Sequence, residues 1–202
     1  MMTLYITPGS PYARMARIMV IEKGLEDRVN VVAALTRSAD SPFYQINPSG
    51  RVPYLLRDDG TGLEESPVIC RYLDHLEGKP AFDVPAGDQA WEALRLGAIA
   101  TSMLDGLSVW LREARRPKNE QSPTILGHEA DRAKRLADHW ETEIDHTLMR
   151  GQFNMVQMTL ICALGLEARH PAFHWREGHP KLQTWFDDLS ARPSVARTVP
   201  AE

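Results

Sequence analysis

Leu4-Tyr5-Ile6-Thr7-Pro8-Gly9-Ser10-Pro11-Tyr12-Ala13-Arg14 is the stretch on which the fold turns. Its apolar run Leu4-Tyr5-Ile6 reads as a strand. Ser10 ahead of Pro11 reads as a helix start, because a serine oxygen accepts from the early helical amides and proline fits the first turn. The helical pattern runs on to Lys23, and Gly24 stops it. A strand therefore hands over to a helix whose first amides, and whose positive dipole end, are left open beside Ser10.

The same alternation continues on either side of Gly24. Strand patterns fall at Leu4 to Thr7, Val29 to Ala33 and Pro53 to Leu56, with a short edge at Thr61 to Leu63 after the turn signal Asp58-Asp59-Gly60. A short helical segment is read around Ser41 to Ile46. A clear helix follows at Pro67 to Leu76, with Ser66 as its expected N-cap and Val68, Ile69, Tyr72, Leu73 and Leu76 as its expected buried face. The order βαβ then ββα predicts a small α/β layer on a mixed four-stranded sheet.

Beyond residue 78 only helical periodicity appears. Gly78 through Gly87 holds two prolines and two glycines, and residues 79–87 read as a linker. One long helix is expected to bury Ala90, Leu94, Gly97, Thr101, Leu104, Leu107 and Leu111. A second is expected to bury Ala133, Leu136, Ala137, Trp140, Ile144 and Leu148. Asn154 to Leu166 is apolar on nearly every side, as in the central helix of a bundle, and Asn154 with Gln157 makes a capping box. A last helix after Pro180 shows Leu182, Trp185, Phe186 and Leu189 at helical spacing. The expected organisation is an α/β domain over 1–78, the linker, and an all-helical domain over 88–202.

With 43% hydrophobic and 25% charged residues, the 202-residue chain has the composition of an ordinary globular protein. The formal charge of −4, from 27 acidic against 23 basic residues, argues against a nucleic-acid partner. Arg112, Arg115 and Arg116 end a helix, where cations suit the carbonyl end of the dipole. No apolar run reaches the roughly eighteen residues of a membrane span, and no secretory signal pattern precedes Leu4, so a cytoplasmic location is expected. Cys70 and Cys162 lie apart inside helical patterns and read as inert core thiols.

Three segments carry chemistry. The Ser10 hydroxyl is a poor base near neutrality but donates well to a bound thiolate. Such a charge-assisted bond is worth about 1.5–3 kcal/mol, enough to bring a thiol from about pKa 8.5 to roughly 6.5–7.5. Val52 ahead of Pro53 offers a backbone donor and acceptor at a strand start, the kind of edge an extended peptide pairs with. Glu65 supplies a carboxylate for an ammonium group, and Ser66 with the helix-start amides suits a carboxylate; together they match the zwitterionic end of a γ-glutamyl group.

Ser10-Pro11-Tyr12-Ala13-Arg14, Asn47-Pro48-Ser49-Gly50-Arg51-Val52-Pro53-Tyr54-Leu55 and Glu64-Glu65-Ser66-Pro67-Val68-Ile69 resemble the cytosolic glutathione S-transferase family, in its bacterial, serine-type form. The similarity extends through the linker and long helices to the segment from His179 to Arg197. It implies a thioredoxin-like N-terminal domain, a helical-bundle C-terminal domain, a homodimer, a cis peptide bond at Pro53 and a role in detoxification. It also implies glutathione as cosubstrate, without a metal, and a small hydrophobic electrophile as partner. By position, Ser10 faces the sulfur, Val52 and Pro53 hold the cysteinyl backbone, Arg51 lies near the glycyl carboxylate, and Glu65 and Ser66 hold the γ-glutamyl end. Asp105 matches an acid that some members offer across the dimer. The pattern departs from the family at the buried helix, where Asn154 and Gln157 replace a Ser or Thr and an Asp.

Alternatives stand beside these readings. Thr7 and Tyr12 are rival hydroxyls for the thiol, and Tyr5 reads as packing. His170 and His174 have a metal-ligand spacing, but Pro171 intervenes and no acid completes a site. Trp110 and Leu111 fit either an acceptor pocket or helix packing. Two other functions compete with transfer to electrophiles. A glutathione-dependent thiol oxidoreductase or peroxidase would want a cysteine at position 10. A noncatalytic ligand-binding or regulatory relative would have no need of Glu65 and Ser66.

Overall fold

The computed structural model describes residues 1–82 and 87–200. Four residues of the expected linker, 83–86, therefore lie outside the described part. The chain divides into two compact units, Met1–Asp83 with Pro193–Glu202, and Val84–Arg192. The described linker residues nearest the first unit are tied to it. The buried Asp74 carboxylate accepts from the Ala81 and Phe82 amides, each at 2.9 Å, and from Lys23 Nζ at 3.0 Å.

The first unit is built on a four-stranded mixed sheet, of strand order β2-β1-β3-β4. Its strands are β1 (Met2–Ile6), β2 (Val29–Ala33), β3 (Tyr54–Leu56) and β4 (Gly62–Leu63). β1 pairs parallel with β2 and antiparallel with β3, in the register Tyr5 opposite Tyr54; β3 pairs antiparallel with β4. Two helices, α1 (Pro11–Glu22) and α2 (Ser66–His75), pack on each other. This is the thioredoxin-like arrangement expected, and its core includes Leu4, Met15, Ile18, Met19, Leu55, Ile69 and Leu73. The segment around Ser41 to Ile46 is a 3₁₀ turn at Pro42–Gln45.

α2 differs from expectation at its first turn. Ser66 is the first helical residue, not the cap; Glu65 holds the cap position with φ +66 and makes no side-chain capping bond. Val68, expected to be buried, is 49% exposed, and Ser66 is buried instead.

The second unit is helical: α3 (Gln89–Ala114), α4 (Pro123–Glu143), α5 (Thr147–Arg150), α6 (Met155–Leu164) and α7 (Pro180–Ser190). α6 is buried along nearly its whole length and packs most heavily on α3. The stripe expected on α3 holds at Leu104, Leu107 and Leu111 but is out of phase before them. Leu94 and Thr101 are exposed, and the buried face is Ala93, Leu96, Ala100, Met103, Leu104, Leu107, Trp110 and Leu111. On α4 the expected Ala133, Ala137 and Trp140 are buried, whereas Leu148 stands on α5, beyond the end of that helix. A short α8 (Pro193–Ala196), expected within the helical part, packs on α1 of the first unit.

Asn154 caps α6 as its sequence indicated. Its Oδ1 accepts from Val156 and Gln157 amides at 2.9 and 3.2 Å, and Gln157 Oε1 accepts from the Asn154 amide at 3.2 Å. The box closes without the charge that an aspartate would add, and Gln157 Nε2 reaches on to the Leu148 and Met149 carbonyls. Asn154→Ala removes the two bonds that its Oδ1 accepts and is expected to lower stability by about 1–2 kcal/mol, read as a melting temperature several degrees lower.

His170 is buried against Trp110, ring centroids 4.1 Å apart, and neither ring nitrogen has a hydrogen-bond partner among the described residues. Burial, with a smaller push from Arg115, holds the imidazole pKa below its ordinary value. The unfolded chain therefore binds this proton at a higher pH than the folded one, so stability is full above about pH 6.5 and falls as pH drops below it. Thermal unfolding between about pH 7 and pH 5 is expected to show this loss, and His170→Phe is expected to reduce it.

Candidate functional site

The sheet register gathers the three chemically suggestive segments at one end. β1 finishes at Ile6 and leads to Ser10; the antiparallel β3 begins there at Tyr54, just after Val52 and Pro53; β4 returns to the same end at Leu63 and leads to Glu65 and Ser66. Side chains and free backbone from three loops thus share one edge of the first unit.

Ser10 is half-buried and occupies the N-cap of α1 with φ −78 and ψ 120. Its Oγ accepts from the Ala13 amide at 3.1 Å, and its own amide donates to the Thr7 carbonyl at 3.0 Å. That bond uses a lone pair of the hydroxyl and leaves its hydrogen uncommitted among the described residues. Capping and donation outward are therefore compatible in one rotamer, and accepting one hydrogen bond makes a hydroxyl a somewhat better donor in the next. Tyr5 packs between Phe43 and Tyr54, with centroids at 5.4 and 6.5 Å.

The Val52-Pro53 peptide bond is cis, as the resemblance implied. Val52 lies just outside the β3 ladder, and its N–H and C=O make no hydrogen bond among the described residues. An edge with an unpaired donor and acceptor is what an extended backbone pairs with. Pro53 is buried beneath it.

Two bracing groups were missed from sequence. Asn47 is buried, and its Nδ2 donates to the Arg51 carbonyl at 3.0 Å and to Glu64 Oε1 at 2.7 Å, while Oδ1 accepts from the Ser49 amide at 3.2 Å. The Ser49 hydroxyl also donates to Glu64 and accepts from the Arg51 amide at 3.1 Å. Glu64 therefore ties the loop ahead of Val52 to the turn ahead of α2. The loop needs Gly50, which has φ +65 and would place a Cβ 2.6 Å from the Tyr44 ring. Only the identity of Asn47 in a turn-forming Asn-Pro pair hinted at this; nothing in the spacing marked Glu64 as its partner.

Glu65 carries a left-handed φ unusual for a side-chain-bearing residue, the kind of local strain that recurs at ligand contacts. Its carboxylate is exposed and lies 3.4 Å from Arg51 Nη1, a pair worth little to stability at this exposure. Ser66 is buried at the start of α2. The edge thus presents a hydroxyl donor, a free backbone pair, and an exposed carboxylate beside a guanidinium, which suits a small zwitterionic peptide.

Asp105 belongs to the second unit. It lines a groove of about 430 Å³ between α3 and α4 with Ser102, Arg132, Arg135 and Leu136. Trp110 and Leu111 are core residues of that unit; Trp110 also meets Phe173. Among the described residues no cluster of three or more His, Cys, Asp or Glu side chains could hold a metal ion, and Cys70 and Cys162 are both buried.

Residues 9–76 match the family described as glutathione S-transferase, N-terminal domain. The chain is 30% identical to the uncharacterised GST-like protein YibF of Escherichia coli over 193 residues, 95% of each chain. It is 26% identical to glutathione S-transferase 2 of Saccharomyces cerevisiae over 209 residues, 98% of this chain and 89% of that one. Among solved structures it superposes with a TM-score of 0.89, at 33% identity and full coverage of both chains, on a glutathione transferase family member from Pseudomonas fluorescens with bound glutathione. With the strand-to-helix serine, the cis-proline loop and the Glu-Ser turn all at one sheet edge, these similarities mean that the chain belongs to the glutathione S-transferase family.

Proposed function

We propose that the protein binds glutathione along this edge and transfers it to a small hydrophobic electrophile, in a detoxifying reaction in the cytoplasm. The observation that carries the reading is the uncommitted hydroxyl hydrogen of Ser10. Glutathione sulfur seated at the start of α1 meets that hydrogen and the positive end of the helix, both of which favour thiolate over thiol. Val52 pairs with the cysteinyl backbone above Pro53, Arg51 attracts the glycyl carboxylate, and Glu65 with Ser66 grips the γ-glutamyl ammonium and carboxylate.

The chemistry then needs no protein nucleophile. The thiol proton leaves to solvent, the thiolate attacks an electrophilic carbon, and a carbon–sulfur bond forms. With an aryl halide the carbon–halogen bond breaks and its electron pair leaves as halide; with an enone or epoxide, the pair settles on carbon or oxygen and takes a proton from water. A redox role is less favoured, because Ser10 offers no thiol to form a mixed disulfide.

Assembly as a homodimer completes the reading, with Asp105 of one copy serving the glutathione amine of the other. Its expected signature is a twofold mass in solution, and Asp105→Asn is expected to raise KM for glutathione more than it alters kcat.

Ser10→Ala is expected to leave glutathione binding nearly intact by calorimetry and to raise the pKa of the bound thiol by about one to two units in an ultraviolet thiolate titration. An unchanged titration would remove Ser10 from its role. Absence of turnover above buffer with a panel of aryl halides, epoxides and enones would count against transferase activity as a whole. Glu64→Ala, which unbraces the loop without touching the sulfur, is expected to raise KM for glutathione about tenfold with kcat little changed.

A further inference from the structure

Arg14 sits one helical turn beyond Ser10 on α1, and its amide donates to the Ser10 carbonyl at 3.0 Å. Its side chain is 4% exposed. A guanidinium stays charged in a protein, and a buried charge is ordinarily matched by an opposite one. Arg14 is not. Nη2 donates to the Val195 carbonyl at 3.1 Å and Nε to the Thr198 hydroxyl at 3.5 Å, both neutral oxygens, and no carboxylate meets it among the described residues. Its neighbour Arg17 is a second cation, which reaches the Thr198 carbonyl at 3.4 Å. Burial and then the Arg14 charge hold the Arg17 pKa below its ordinary value, as expected where positive charge is left uncompensated.

Helical side chains lean toward the N-terminus of their helix, so the Arg14 side chain leaves α1 in the direction of the turn that Ser10 caps. The segment around α8 covers it: Thr198 is fully buried, and its hydroxyl donates onward to Ser194 and Val195 carbonyls. The cover keeps water from screening the charge, and among the described residues it offers no anion to cancel it. An anion seated at the Ser10 end of α1 would be the compensating charge that the described residues lack.

We infer that Arg14 is a positioning residue for charge: a shielded guanidinium that helps hold a sulfur seated at Ser10 in its anionic form without touching it. The inference rests on the reading of Ser10 given above. Across one helical turn, with partial shielding, a unit charge moves a neighbouring pKa by about one unit. A purely structural Arg14, serving only to strap the C-terminal segment onto α1, would leave that titration unmoved.

The test is the ultraviolet thiolate titration of the full chain saturated with glutathione, comparing the wild type with Arg14→Gln, Arg14→Lys and Thr198→Val. Arg14→Gln keeps a donor and loses the charge, and is expected to raise the bound thiol's pKa by about one unit. Arg14→Lys keeps the charge, and Thr198→Val loosens only the strap, so both are expected to titrate near the wild type. Should Arg14→Gln fail to fold, Arg14→Met repeats the charge removal with an apolar chain. An uncharged variant that titrates with the wild type overturns the inference, as does Thr198→Val rising as far as Arg14→Gln. A wild-type complex whose thiol titrates like free glutathione overturns the underlying reading of Ser10; a lowered wild-type value with an unmoved Arg14→Gln overturns only this inference.

Discussion

The hydrogen bond from the Ala13 amide into the Ser10 oxygen orients everything else at the edge of the sheet. It holds the serine oxygen at the helix start, uses a lone pair that the first amides require, and leaves the hydroxyl hydrogen uncommitted among the described residues. A residue that looks like an ordinary cap thereby stays able to donate. The capping geometry is the one that the proposed chemical role would use.

The rest of the edge is held by groups that do not themselves face a ligand. Asn47 is buried with its amide fully used, and Glu64 closes the circuit between two loops. This leaves the exposed members, Arg51 and Glu65, free to form only a loose pair with each other. Such a pair is easily exchanged for charges on a small molecule, whereas the braces beneath it are not. Rigidity sits under the edge and exchangeability on it.

The sheet and the serine were legible because their signals are local: an apolar run, a cap and a Pro at the first turn. The phase of α3 was not. Its alanines, leucines and threonine populate two adjoining faces, so Leu94 and Thr101 looked as apolar as Ala93 and Ala100, and only packing against α6 chooses between them. The sequence places the cap at Ser66, one residue late, because Pro67 is tolerated at either of the first two helical positions; the positive φ at Glu65 settles the matter and leaves no local trace. Asn47 with Glu64, and Arg14 with Thr198, are separated by 17 and 184 residues, and no periodicity links partners so far apart.

The return of residues 193–198 to α1 has a consequence for how the chain is made. On the ribosome, the whole of 84–192 must be synthesised before the oxygens that receive Arg14 emerge. Until then α1 carries an uncovered guanidinium on a face meant to be dry. The sheet can assemble early, but its last side is closed only once residues 193–198 have been made, so the nascent first unit waits, half finished, for α8.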